Sequence, residues 1–215
     1  MVEDNLNLIM KELPPGIKLV AVSKFHPCED IMAAYRAGQR CFGENRPQEF
    51  ASKVPLLPQD IEWHFIGHLQ TNKLKLVLPY ASLVESVDSR RLLDAVEAWG
   101  ASNDRVTDVL LELHLGAEET KGGFSEDEIE EILGSLRFEH VRFRGLMGMA
   151  TNTDDESVVE ADFARIESFK KRLDGMYRLP GFSELSIGMS HDWRLAVRHG
   201  ATIVRIGTAI FGPRV

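Results

Sequence analysis

The last predicted strand of the chain leads directly into a glycine and a threonine. Val204 and Ile206 alternate with Arg205, as in a buried strand, and Gly207 and Thr208 follow at once. A glycine there lets backbone N–H groups approach an anion closely, and a threonine hydroxyl adds a donor at the start of a helix. Most turns of this kind bind no ligand. The pattern alone therefore makes phosphate binding only one candidate property.

A lysine follows the first predicted strand. Lys24 comes after the apolar run 17–22 and Ser23. An amine whose pKa is lowered by partial burial and cationic neighbours is a nucleophile that forms a Schiff base with a carbonyl compound. The ordinary alternative is a solvated surface lysine. The chemistry to look for is a covalent linkage at one end of a ligand and phosphate contacts at the other.

The elements that must position these residues alternate between strands and helices. Predicted strands begin near residues 17, 40, 61, 82, 107, 140, 184 and 202, and each is followed by a helix or helix-like segment. Eight such units predict an α/β fold, a closed parallel (β/α)8 TIM barrel forming a single domain over 1–215. A further helix is predicted at 3–13, before the first strand. An open doubly wound sheet is the structural alternative.

Local signals set some of the helix boundaries. Asp88 or Ser89 is predicted to cap a helix over 89–99, and Ser125 to Glu128 has the spacing of a capping box. Residues 71–78 are predicted to form one helix.

The barrel prediction directs attention to the residues that follow each strand, because active sites of such barrels lie at the carboxyl ends of the strands. The loops after the last two strands most often form a phosphate site, and here they supply Ser190, Gly207 and Thr208. Lys24 is expected to face that site across the barrel mouth.

Three further residues at the predicted strand ends are candidate ligand contacts, namely Asn45, His64 and Met147. Each also has a purely structural interpretation. Asn45 could cap a helix, His64 could be a satisfied core histidine, and Met147 could be adaptable packing.

Composition narrows the class of protein. The 215 residues carry 33 acidic and 25 basic side chains, a net charge of −8 that disfavours nucleic-acid binding. Cys28 and Cys41 form neither a disulfide framework nor a metal-binding pattern, so we expect a reducing cytoplasm and no metal. An acidic start and the lack of an apolar run of roughly 18 residues predict no secretory signal and no membrane span.

Six blocks, in order along the chain, resemble the pyridoxal-phosphate homeostasis protein family. They are Ala21-Val-Ser-Lys24, Phe42-Gly-Glu-Asn45 with Gln48-Glu49, Trp63-His-Phe-Ile-Gly67 with Leu69-Gln70 and Asn72-Lys73, Arg144-Gly-Leu-Met147, Gly188-Met-Ser190 with Asp192, and Val204-Arg-Ile-Gly-Thr-Ala-Ile-Phe-Gly212. Together they run from near residue 19 to residue 214, so the resemblance is highly specific.

The resemblance implies the barrel of the alanine-racemase type, fold type III among proteins that use pyridoxal 5′-phosphate, without a second β domain. It implies pyridoxal 5′-phosphate as an internal aldimine on Lys24. By analogy with the related racemase barrels, Arg205 would face the pyridine nitrogen, and Ser190, Gly207 and Thr208 would hold the phosphate. Lys121 would lie near the phenolic oxygen of the cofactor.

The function implied by the resemblance is to bind, buffer and deliver vitamin B6 cofactor in the cell without significant catalytic turnover. Apo-enzymes that need pyridoxal phosphate would be transient acceptors, and the protein is expected to be a monomer. An amino-acid racemase on the same lysine is the alternative. A Schiff-base aldolase is a third hypothesis, which the first-strand position of Lys24 disfavours.

One departure from the family pattern concerns the loop after the second strand. Where the family usually continues Gly-Glu-Asn with Tyr-Val-Gln-Glu, this chain has Arg46 and Pro47 before Gln48 and Glu49. The chain therefore lacks the aromatic residue of the family at this rim, and the geometry of the loop is expected to differ.

Overall fold

A closed barrel of parallel strands forms the centre of the protein. The computed structural model describes residues 1–116, 122–135 and 137–213. Within them, eight strands pair in sequence order and the eighth pairs with the first. The strands are β1 (Lys18–Val22), β2 (Cys41–Glu44), β3 (Glu62–Phe65), β4 (Leu83–Val87), β5 (Thr107–Leu113), β6 (Val141–Gly148), β7 (Glu184–Ser186) and β8 (Ile203–Ile206). The predicted barrel is confirmed, and the open doubly wound sheet is excluded.

Helices surround the barrel and connect its strands. They are α1 (Val2–Glu12), α2 (Cys28–Arg36), α3 (Pro47–Lys53), α4 (Leu74–Val77), α5 (Arg90–Asn103), α6 (Glu126–Ser135), α7 (Glu156–Tyr177), α8 (Trp193–Arg198) and α9 (Thr208–Phe211). No helix within the described ranges combines the length and the apolar character needed to cross a bilayer.

Alternation along the strands divides the core into two layers. On β1, Leu19 and Ala21 belong to the large cluster that packs between the strands and the helices. Val20 belongs to a smaller cluster with Leu110 and Met147. Because successive side chains of a strand point to opposite faces, the smaller cluster fills the barrel interior.

The extra N-terminal helix lies close to the last one. The buried residues of α1 are Leu6 and Ile9, and the Asn5 side chain donates to the carbonyl of Ile210 at 3.0 Å. The α1 helix is thereby attached to the segment that follows β8.

The local signals were partly right. The Ser89 hydroxyl accepts from the Leu92 N–H and caps α5, and Ser125 and Glu128 exchange the two bonds of a capping box. The single helix predicted over 71–78 was wrong, because a 3-10 turn at Thr71–Lys73 precedes the short α4. Pro47 begins α3 at the position where the missing N–H of proline costs nothing.

Glycine is required at a bulge between β6 and its neighbours. The β5–β6 register pairs Val109 with Phe143 but Leu110 with Gly145, so β6 contains one extra residue there. Gly145 has φ +151°, and a Cβ on it would lie 1.8 Å from the carbonyl oxygen of Glu184 on β7. A side chain would have to push β7 away.

We therefore predict that Gly145→Ala lowers the free energy of unfolding by more than about 2 kcal/mol, through strain and loss of pairing between β6 and β7. Gly175→Ala is the matched control, since Gly175 lies in α7 and a Cβ there meets no atom of the described residues within 4 Å. It should raise the free energy of unfolding by about 0.5–1 kcal/mol. Urea denaturation measures both, and equal effects of the two changes would contradict the bulge argument.

Candidate cofactor-binding site

An open pocket of about 230 Å³ lies at the carboxyl ends of the barrel strands. Its walls come from residues at the ends of β1, β2, β3, β6, β7 and β8. The lining residues are Val22, Lys24, His26, Asn45, Ile66, Met149, Met189, Ser190, His191, Arg205, Gly207, Thr208 and Gly212.

Six of the nine residues that the sequence selected meet in this pocket: Lys24, Asn45, Ser190, Arg205, Gly207 and Thr208. His64 lines a different cavity, and Met147 lies in the barrel interior with 1% of its surface exposed. Lys121 lies outside the described residues. The pocket geometry therefore supports six of the selected residues as contacts and gives no support to His64 or Met147.

Pairing of the first and last strands decides where Lys24 lies. In the β1–β8 register Ala21 is opposite Ile206, so the chain continues past this pair to Lys24 on one strand and to Thr208 on the other. The expectation that Lys24 faces the phosphate-type loop across the barrel mouth was wrong. The two are neighbours, because a barrel of eight strands closes by pairing its first strand with its last.

Ser190 joins the loops after β7 and β8. Its hydroxyl oxygen accepts from the backbone N–H of Gly207 at 3.3 Å and of Ala209 at 3.5 Å. A Cβ on Gly207 would lie 3.3 Å from the carbonyl oxygen of Val22, so the glycine allows the turn to pass close to β1. Backbone donors and two hydroxyls, those of Ser190 and Thr208, are thus gathered at one wall of the pocket.

Arg205 lies between this wall and the interior of the barrel. It is 5% exposed, and its guanidinium donates to the Ser186 carbonyl at 2.8 Å, the Ser186 hydroxyl at 2.6 Å and the Gly148 carbonyl at 3.0 Å. Three bonds of this kind fix the plane of the guanidinium. A positively charged donor is therefore held in a constant orientation at the pocket floor.

A buried carboxylate below the pocket connects Arg205 to His64. Glu85 accepts from the Ser186 hydroxyl at 2.5 Å, contacts the His64 ring at 2.5 Å, and lies 3.8 Å from the Arg205 guanidinium. Burial alone would raise the pKa of Glu85, but His64, Arg205 and Ser186 together hold that pKa below its usual value. Burial likewise opposes charge on His64, but Cys41 and Glu85 outweigh it and raise the pKa of His64 to about 10.

The backbone on either side of Lys24 is held from outside the barrel. Lys24 points into the pocket and is partly buried, whereas Ser23 is fully buried and donates its hydroxyl to Glu44 at 2.7 Å. Lys53 on α3 donates to the Glu44 carboxylate at 2.8 Å and to the Ser23 carbonyl at 2.9 Å. Lys24 thus faces the pocket, whereas the preceding residue faces the charged groups that hold the backbone.

Asn45 supplies a polar atom to the pocket wall. Its side-chain oxygen is buried and has no hydrogen-bond partner in the part of the chain that the structure describes. An unpaired buried acceptor costs about 1–3 kcal/mol, so this atom is suited to a donor on a bound molecule.

Comparison with known proteins decides the family. The alanine racemase N-terminal domain family matches residues 1–215. The pyridoxal phosphate homeostasis protein of Aquifex aeolicus is 40% identical over 199 residues, which cover 92% of this chain and 87% of that protein. The protein of the same name from Schizosaccharomyces pombe is 37% identical over 203 residues, with 93% and 85% covered. The chain belongs to the pyridoxal phosphate homeostasis protein family.

Solved structures agree with this assignment. PipY of Synechococcus elongatus, determined without PLP, superposes with a TM-score of 0.94 at 36% identity and covers 99% of this chain and 100% of that one. PipY with PLP bound superposes with a TM-score of 0.90 at 35% identity over the same shares. Alanine racemase from E. faecalis shares the fold, with a TM-score of 0.76 at 16% identity, and this chain covers 57% of it.

Reasoning from sequence missed several residues of the site. Val22 lines the pocket because it is two residues before Lys24 on the same face of β1, a signal that strand periodicity carries. His26 lies two residues after Lys24 and also lines the pocket. Its ring stacks on Phe211, with ring centroids 4.9 Å apart. The pocket is lined by Met149 and not by the predicted Met147, which comes two residues earlier in the chain.

Two buried acids of the barrel were also missed, Glu85 and Glu112. Burial and the charge of Asp88 raise the pKa of Glu112 to about 7. Glu85 on β4 contacts Ser186 on β7 and Arg205 on β8, which are more than 100 residues away in the chain, so no local sequence pattern could have paired them.

His64 faces the opposite end of the barrel. A second cavity there, of about 100 Å³, is lined by His64 together with charged residues such as Lys18 and Glu62. Donor atoms of His64, Glu62 and Cys41 lie within 4.8 Å of one another, and Glu62 pairs with Lys18 at 2.8 Å. His64 therefore lies away from the first pocket, and its ring pairs with Glu85 in the barrel interior.

The charged state of His64 makes stability depend on pH. Because its folded pKa is raised, its contribution is complete below the unfolded pKa of about 6.5 and is lost as the pH rises through about 10. We predict that His64→Gln lowers the free energy of unfolding by about 3–5 kcal/mol at pH 6, and that this deficit shrinks towards pH 10. Urea denaturation of both proteins at several pH values between 6 and 10 measures it, with Cys41 retained because it contributes to the raised pKa of His64.

His68→Gln is the control. His68 contacts Asp88 at 2.6 Å, but its side chain is 72% exposed, so the loss should stay below about 1 kcal/mol. A deficit of His64→Gln that does not change between pH 6 and pH 10 would show that the imidazole is neutral in the folded protein.

Proposed function

We propose that this protein binds pyridoxal 5′-phosphate in the pocket at the carboxyl ends of the strands and holds it for vitamin B6 homeostasis and delivery. The observation that carries the proposal is the convergence, in one pocket, of the Lys24 amine with Ser190, Gly207 and Thr208. A ligand that carries both an aldehyde and a phosphate matches the Lys24 amine and the donors of the neighbouring Gly207 turn. Membership of the family and the PLP-bound structure of PipY support the same ligand.

The residues present fit the cofactor in two further ways. The unpaired side-chain oxygen of Asn45 can accept a hydrogen bond from a bound molecule. The turn at Gly207 brings backbone N–H groups, now directed at the Ser190 hydroxyl, to a place where phosphate oxygens can take over those bonds.

The cofactor supplies an aldehyde for covalent linkage to a lysine and a pyridine ring that can take up electrons. Lys24 would provide the amine, and Ser190, Gly207 and Thr208 would orient the phosphate. Arg205 would donate a hydrogen bond to the pyridine nitrogen. Because an arginine does not give up its proton, that nitrogen would stay unprotonated and the ring would be a weaker electron sink.

Weak electron withdrawal suits a protein that carries the cofactor. The tyrosines of the chain also lie outside the pocket: Tyr35 donates to Asp60 at 2.8 Å, Tyr177 donates to the Glu130 carbonyl at 3.0 Å, and Tyr80 is exposed. None of them is placed to move a proton at the ligand. We therefore propose that turnover of amino acids is negligible.

An assay of cofactor transfer, run beside an assay of amino-acid racemisation, distinguishes a carrier from a racemase. The loaded protein should pass pyridoxal phosphate to an apo-enzyme that requires it, and should leave the enantiomeric composition of free amino acids unchanged. Racemisation at a rate comparable with transfer would favour the enzyme alternative.

The remaining proposals concern partners and place. We propose apo-enzymes as transient acceptors, a monomer in the cytoplasm, and no nucleic-acid partner, in keeping with the net charge of −8. The roles of His64, Met147 and Lys121 as cofactor contacts stay predictions.

We predict that Lys24→Ala abolishes covalent linkage. The wild-type protein mixed with pyridoxal phosphate should show a visible absorption band that borohydride bleaches, and peptide mapping should locate the reduced adduct at Lys24. Lys11→Ala is the control, since Lys11 lies exposed near the end of α1. A wild-type protein that stays colourless would contradict cofactor binding, and a band retained by Lys24→Ala would assign the linkage to another lysine.

We predict that Thr208→Val weakens pyridoxal phosphate binding by about 1–2 kcal/mol, the loss expected for one hydrogen bond to a charged group. Valine has nearly the shape of threonine, so packing is preserved. Pyridoxal, which has no phosphate, is the matched ligand and should bind both proteins alike. Equal weakening for the two ligands would remove Thr208 from the phosphate site.

A further inference from the structure

Two charged residues of α3 and one of β2 form a buried ion cluster directly behind Lys24. Lys53 donates to Glu44 at 2.8 Å and to Glu49, one helical turn earlier on α3, at 2.6 Å. The exposed fractions of the Lys53, Glu44 and Glu49 side chains are 8%, 0% and 19%. We call these three residues the Lys53 clamp.

The clamp contacts the peptide group on each side of Lys24. Lys53 donates to the carbonyl oxygen of Ser23 at 2.9 Å, which belongs to the peptide before Lys24. Glu49 accepts from the N–H of Phe25 at 2.7 Å, which belongs to the peptide after it. Both peptide planes next to the lysine are therefore fixed by charged partners.

The backbone held in this way is a strained one. Phe25 has φ +68°, in the left-handed region that a phenylalanine rarely adopts. Such conformations persist where surrounding contacts impose them, and they cluster at functional sites. The charge-assisted bond from Phe25 to Glu49 is a contact that imposes it.

Stability alone does not account for a buried cluster of this kind. Replacing a buried ion pair by packed apolar groups is often neutral or stabilising, because desolvation offsets the attraction. Directional bonds to two peptides give the cluster a different use. They set the direction in which the side chain of Lys24 leaves the backbone.

We propose that the Lys53 clamp positions the Lys24 amine for linkage to the aldehyde of the cofactor, a role that rests on the proposed function. In that linkage a carbon–nitrogen double bond replaces the carbonyl oxygen, which leaves as water with the two protons of the neutral amine. Glu44, Glu49 and Lys53 are positioning residues, since they act on Lys24 through its backbone and do not line the pocket. Attack on a carbonyl carbon requires the amine at close range and in a defined direction.

Two ligands separate positioning from binding. Pyridoxal phosphate can link to Lys24, whereas pyridoxine 5′-phosphate carries an alcohol in place of the aldehyde and binds without linkage. Glu49→Ala removes the acceptor of the Phe25 N–H, and Glu49→Gln keeps an oxygen at that place. We expect Glu49→Ala to lower the equilibrium constant and the rate of linkage roughly tenfold. Its affinity for pyridoxine phosphate should stay within about twofold of wild type, and Glu49→Gln should restore most of the linkage.

Glu97→Ala is the matched control. Glu97 also holds two backbone N–H groups, those of Glu139 and His140 at 3.1 and 2.8 Å, and its side chain is 22% exposed, but it lies away from the pocket. It should lose similar stability in urea and leave linkage unchanged. The double variant Glu44→Gln/Lys53→Met removes the donor to Ser23 together with the fully buried charge of Glu44, while Glu49, which is 19% exposed, keeps its bond from the Phe25 N–H. It tests the other half of the clamp if Glu49→Ala does not fold.

Several outcomes would overturn the clamp. Linkage by Glu49→Ala within twofold of wild type would do so, as would equal weakening of both ligands or an equal effect of Glu97→Ala. A wild-type protein that binds neither ligand overturns the proposed function and the clamp with it. A wild type that binds both, with unaffected clamp variants, overturns the clamp alone.

Discussion

The hydrogen-bonded pairing of β1 with β8 is the constraint on which the site depends. It closes the barrel, and it brings the two segments most distant in sequence to adjacent positions at the pocket. Lys24 leaves one of these strands and Gly207 begins the turn after the other. If the sheet stayed open at this place, the amine and the phosphate-type loop would lie on opposite edges. Closure therefore creates the binding site as well as the core.

Below the pocket, the barrel interior contains a chain of charged and polar groups where a small barrel usually has apolar layers. Glu85 lies at its centre, between the His64 ring and the Arg205 guanidinium, with Ser186 bonded to both Glu85 and Arg205. The Glu85 carboxylate compensates the positive charge of Arg205. Without it, a charge buried this deeply would be strongly unfavourable. Orientation of the arginine thus depends on Ser186 of β7 and on Glu85 of β4, two buried residues that do not line the pocket.

Two different physical arrangements hold the two ends of the proposed ligand. The phosphate end relies on backbone N–H groups and hydroxyls at a turn, where glycine permits close approach to β1. The lysine end relies on charged side chains outside the barrel that fix both peptides next to Lys24. A ligand that contacted both would meet groups already held in place, which keeps the entropic cost of binding low.

The order of strands and helices and the residues at the strand ends were determined by local patterns in the sequence. Hydrophobic runs followed by glycine or a cap predicted β1 to β8, and the position of Lys24, Ser190 and Thr208 after strands predicted a common rim. These features depend on neighbours within a few residues, so the sequence contains them. The tertiary structure decided what depends on distant partners: that Lys24 is beside the phosphate-type loop, that His64 faces the other end of the barrel, and that Glu85 joins His64 to Arg205. Such contacts follow from barrel closure and from the register between strands. A shift of register by one residue would turn each of these side chains to the other face.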